Sequence, residues 1–149
     1  MLVSSLIIVV SLTLFLYWFR YTCLLILSAK TSRDYTAQIA SANQLTFLET
    51  QNSLLESSGL TRFEALHRSL DRDYRLLTYL LRHGSSDASP GRSLENRILM
   101  IDFRLMSVWY ALTRGISSER ARNALLEMAS IVGHLANSMG ERISVGSIS

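Results

Sequence analysis

At 149 residues and a formal charge of only +3, the chain has room for one ordinary domain, and its charge is too small for a nucleic-acid-tracking surface. Arginine outnumbers lysine fourteen to one, but the acids are interleaved with the arginines and no basic run forms. The single cysteine, Cys23, excludes an intramolecular disulfide and any zinc site built on cysteine pairs, and it reads as a small apolar residue.

Residues 1–29 read as a transmembrane anchor. The run from Leu2 to Ala29 is apolar apart from Arg20, and about 20 such residues cross a bilayer. Sliding the span toward Ala29 would bury Arg20, at about 2.5 to 3.5 kcal/mol on insertion scales. Placing Leu2 to Phe19 in the hydrocarbon instead puts Tyr17, Trp18, Arg20 and Tyr21 at the interface as an aromatic belt with one charge. Eighteen residues then span about 27 Å, enough for a thin bilayer. Cys23, Leu24, Leu25, Ile26 and Leu27 follow as an apolar collar, a candidate contact for a protein partner or for lipid.

No Lys or Arg precedes the apolar run, whereas Arg20, Lys30 and Arg33 lie at its end. The positive-inside rule therefore predicts the N-terminus outside and the rest of the chain cytoplasmic. A cleaved signal peptide fits less well, because there is no basic n-region and the apolar core is overlong. The arginine excess points to a GC-rich genome and hence to a bacterial inner membrane.

Residues 30–58 carry no Gly or Pro, so the anchor helix is expected to continue unbroken to about Glu56 as a polar juxtamembrane stalk. Residues 59–142 are expected to form a helical bundle. Its first helix opens on Thr61 and Glu64, a T-x-x-E capping box, and shows an apolar face of Phe63, Leu66, Leu70, Tyr74, Leu77 and Leu80. It ends at His83-Gly84, before a Ser/Gly/Pro-rich loop over 85–92 that should be mobile and protease-sensitive.

The next helix, from about Ser93 to Arg114, carries two stripes. One is Leu94, Ile98, Ile101, Leu105, Val108 and Leu112; the other is Leu99, Phe103, Met106 and Tyr110. Two apolar faces predict a central position in the bundle, or a place between the bundle and a partner. The last helix runs from about Ser117 to Gly140, with Ala121, Leu125, Met128, Val132, Leu135 and Met139 on one face. Residues 143–149 read as a flexible tail. The expected fold is all-α: an N-terminal transmembrane helix continuing into a cytoplasmic antiparallel bundle of three to four helices.

Candidate chemistry is thin. Glu64 and His67 make one E-x-x-H pair, but a carboxylate-bridged di-iron bundle needs a second, and none exists. His67 reads as a surface residue near Asp71, and His134 as a structural histidine. No serine stands in a nucleophile motif. No catalytic residue, metal ligand, cofactor or small-molecule substrate is assigned.

The richest polar face is that of the 61–83 helix, with Glu64 and Arg68, then Asp71 and Arg75, in the favourable i,i+4 order. Arg68, Arg72 and Arg75 are candidate partner contacts there. The chain thus reads as a non-enzymatic, single-pass membrane protein. Its partners are the lipid bilayer and other membrane proteins, a second copy included. It would serve as an accessory subunit, scaffold or adaptor. A signal-transmitting bundle, driven through the unbroken helix, is the first alternative; a metal-binding enzyme is the second.

Overall fold

The computed structural model describes residues 1–28, 34–56, 60–83 and 90–146. All regular structure among them is helical: α1 (Leu2–Ser28), α2 (Thr36–Ala42), α3 (Phe47–Glu56), α4 (Leu60–His83), α5 (Pro90–Thr113) and α6 (Ser118–Gly146). The chain divides into two units, Met1–Lys30 and Thr31–Ser149.

The first unit is one helix of 27 residues, long and apolar enough to cross a membrane. At 1.5 Å per residue it extends about 40 Å. Its hydroxyls serve themselves: Thr13 donates to the carbonyl of Val9 and Thr22 to that of Trp18 (2.8 and 2.9 Å). Back-bonding of this kind satisfies a polar side chain where no water is at hand.

In the second unit the centre is α6, which packs against α2, α3, α4 and α5. Ala121, Leu125, Met128, Val132 and Leu135 are buried as their spacing predicts, but Ala124, Ala129, Ile131 and Ala136 on its other sides are buried too. A helix buried on most of its sides belongs in the middle. The two-striped helix, now α5, lies to one side of it instead.

Gly140 does not end α6, which continues to Gly146. A Cβ on Gly140 would meet Tyr35 Cγ at 2.8 Å, so the glycine permits close approach of the chain entering α2. Beside it, Tyr35 donates its N–H to Asn137 Oδ1 (2.7 Å). Past Gly140, Arg142 donates to the carbonyl of Leu81 near the end of α4 (3.2 Å), which gives the extra turns a partner.

The unbroken stalk helix is not found. Between α2 and α3 the chain turns at Gln44, which has a left-handed φ of 52°. Leu45 donates its N–H to the carbonyl of Ala40 (2.9 Å) and Gln44 to that of Ser41 (3.5 Å), the pair of bonds of a Schellman stop. Left-handed backbone costs a non-glycine residue about 1–2 kcal/mol, which tertiary contacts offset here. Asp73 on α4, fully buried, accepts the Thr46 N–H at 2.7 Å, and the Thr46 and Ser69 hydroxyls are hydrogen-bonded to each other. Residues 34–56 therefore fold into the second unit, with Phe47 and Leu54 buried, rather than standing apart as a stalk.

Pro90 occupies the first position of α5, where its missing N–H costs nothing. Of the mobile loop expected over 85–92, residues 85–89 lie outside the described residues and 90–92 belong to α5. The tail expected from residue 143 is helical as far as Gly146; 147–149 lie outside the described residues.

Candidate functional site

The interface candidates fall within little more than one turn of α1. Tyr17, Trp18 and Tyr21 are exposed, Arg20 lies among them, and Trp18 meets Tyr21 edge-on at 6.2 Å between ring centres. Cys23, Leu24, Leu25, Ile26 and Leu27 form the last turns of the same helix, with Leu24 and Leu25 about half exposed.

On α4, the predicted ion pairs are present: Arg68 to Glu64 at 3.0 Å and Arg75 to Asp71 at 2.8 Å. Arg72 lies 3.4 Å from the buried Asp73. The three arginine side chains remain 77%, 77% and 63% exposed, respectively. This is a solvated face whose charges are met by carboxylates of the same helix.

The α5 helix differs. Its inner stripe, Leu99, Phe103, Met106 and Tyr110, is buried. Its outer stripe is not: Leu94 is 60% exposed, Ile101 57%, Val108 58% and Leu112 62%. The exposed positions and the partly buried Ile98 and Leu105 between them follow 4-3-4-3-4 spacing, so they form one row along the helix. Arg97 and Arg104 follow one edge of the row, and Trp109 borders the other.

The polar groups between helices tie the unit together. His67 is half-buried, not on the surface: it stacks on Tyr110 at 4.7 Å and shares a 2.9 Å hydrogen bond between Nε2 and Ser107 Oγ. Burial lowers its pKa below the usual histidine value, with Asp71 and Glu64 opposing and Arg114 assisting. Burial also raises the Tyr110 phenol, with Arg114 opposing.

Serine beside histidine is a nucleophile–base pairing, but Ser107 sits mid-helix. Backbone N–H groups there are committed to i→i−4 bonds and cannot serve as oxyanion donors. The pair acts as a tie between α4 and α5. Tyr74 reinforces it, stacking on Phe103 at 4.0 Å and donating to the carbonyl of Met100 at 3.2 Å.

His134 is likewise structural, 2.9 Å from Glu95 across α5 and α6. Among the described residues no three His, Cys, Asp or Glu side chains converge on a point that would hold a metal ion. The convergent feature of the molecule is apolar: the outer row of α5.

No protein-family model, curated protein or solved structure matches the chain. Its function is therefore argued from these faces. The sequence pattern marked α5 as a helix with two apolar faces, central in the bundle or held between the bundle and a partner, and left open which. What it lacked was the knowledge that α6 would take the central position.

Proposed function

We propose that this is a non-enzymatic, single-pass membrane protein whose helical domain docks onto another membrane-associated protein, as an accessory subunit, scaffold or adaptor. The carrying observation is the outer row of α5, four large apolar side chains more than half exposed over about five turns. A soluble monomer rarely leaves so continuous an apolar row uncovered. In this reading α1 is a retained anchor. Arg20, Lys30 and Arg33 at its C-terminal end favour a cytoplasmic domain with the N-terminus outside, in a bacterial inner membrane.

The signal-transmitting alternative drew on a rigid helix from the membrane to Glu56, and the turn at Gln44 favours docking over it. The metal-enzyme alternative drew on Glu64 and His67. Glu64 holds Arg68, while the Nε2 of His67 is engaged with Ser107.

Purification from native membranes in mild detergent tests the docking reading. A specific complex is expected with the wild type and with Arg72→Gln, and is expected to be lost with Ile101→Asp. A lone monomer from all three sources would sink it. Intact-mass measurement of the purified chain tests the anchor, because removal of α1 by a signal peptidase would show as a shortened chain. A cysteine introduced at Ser118 should be labelled only after the inner membrane is permeabilised; labelling of intact spheroplasts overturns the topology.

A further inference from the structure

The α5 docking row carries its own charge signature, and this inference rests on the docking reading above. The two acids of α5 are both unavailable on its outer face: Asp102 is buried and Glu95 is engaged with His134. Arg97 and Arg104, by contrast, are exposed and have no ion pair among the described residues. They stand seven residues apart, two helical turns or about 10.5 Å, along the same edge of the apolar row.

We propose that the occupant of this face is an amphipathic helix of another protein that borders its apolar seam with carboxylates at matching seven-residue spacing. First, the row from Leu94 to Leu112 is straight and about 27 Å long at 1.5 Å per residue, the length and shape of a helix of five turns. Second, guanidinium groups meet carboxylates bidentately, so two of them in line at the rim set register and reject a basic partner.

Third, a second copy of this chain is a poor occupant. Antiparallel pairing of two α5 rows would set Arg97 and Arg104 against their own duplicates. Parallel pairing would set them against the edge bordered by Trp109, which offers no free carboxylate. A bilayer surface fits less well than a helix, because helices lying in an interface carry cations flanking the apolar face on both sides. Here both lie on one.

The test uses the full chain in neutral phosphatidylcholine nanodiscs and two labelled 21-residue peptides. Both have a leucine seam in heptad spacing; one has Glu along the seam edges and the other has Lys. Fluorescence anisotropy should show the Glu peptide binding about tenfold tighter than the Lys peptide at low salt, with the difference shrinking at 1 M salt. Arg97→Glu/Arg104→Glu should reverse the preference, with helicity by circular dichroism unchanged. Ile101→Asp should weaken both peptides.

Equal binding of the two peptides would overturn the acidic-helix inference while leaving docking through α5 intact. Binding of neither would also overturn it. Dimerisation in the nanodisc that is lost with Ile101→Asp would identify a second copy as the occupant. With Trp18→Phe leaving Trp109 as the sole indole, shielding of Trp109 by phosphatidylglycerol nanodiscs without peptide would identify lipid. Either of these last results overturns the proposal.

Discussion

The outer faces of α4 and α5 are both rich in arginine, yet they are built for different surroundings. On α4, Arg68 and Arg75 meet carboxylates four residues away at 3.0 and 2.8 Å, and water completes their solvation. On α5, Arg97 and Arg104 have no such partner among the described residues and lie beside an exposed apolar row. Charge alone does not mark a contact surface. Charge left unbalanced next to uncovered apolar area does, because both terms improve only when something else arrives.

The contrast between inner and outer faces is where substitutions should separate most. Leu99→Ala, on the buried stripe of α5, is expected to cost about 2–5 kcal/mol in denaturant unfolding of the solubilised chain, through lost transfer energy and a cavity. Ile101→Asp, two residues on but facing outward, should stay within about 0.5 kcal/mol of wild type while losing the partner. A comparable loss of stability from both would mean that the outer row is structural.

On α4 the inner polar group matters most. Asp73→Ala leaves the Thr46 N–H without its acceptor and is expected to cost about 1–3 kcal/mol, with faster hydrogen exchange at Thr46 and through α3. The outer pairs matter little. Arg68→Gln and Arg75→Gln should each change stability by no more than about 0.5 kcal/mol, an effect that shrinks further in high salt.

The smallest effect is at the junction of the two helices. His67 has its pKa lowered in the folded chain, so below the unfolded value the unfolded state binds more protons. Its contribution to stability is present above the ordinary histidine pKa and is lost as pH falls through that value toward the folded one. His67→Gln should flatten this part of the pH–stability curve, on the acid side of the ordinary histidine pKa. An unchanged slope would show that other groups set it.

Much of the fold was legible in order but not in arrangement. Apolar periodicity placed α4 and α5 within a few residues of their observed ends, because it needs no knowledge of the partner helix, although α4 starts at Leu60 and so puts Thr61 inside the helix rather than at its cap. The break at Gln44 went unread because its Schellman stop uses neither glycine nor proline. The one readable trace was Thr46 with Glu49, a second T-x-x-E at the start of α3. Gly140 misled for the opposite reason, being a glycine spent on packing rather than termination. His67 looked like a surface residue beside Asp71, since its stacking on Tyr110 depends on a residue 43 positions away.

Local sequence signals are enough to make the chain helical, to let its N-terminal helix cross a membrane, and to pair Glu64 with Arg68 and Asp71 with Arg75. Each is set by periodicity, length or residues within one turn. Only the tertiary structure decided which apolar helix lies at the centre. The two-striped α5 was the candidate for that position, but α6 takes it because its alanines and glycines admit neighbours on most of its sides. That choice leaves the outer row of α5 uncovered, and with it the surface on which the proposed function rests.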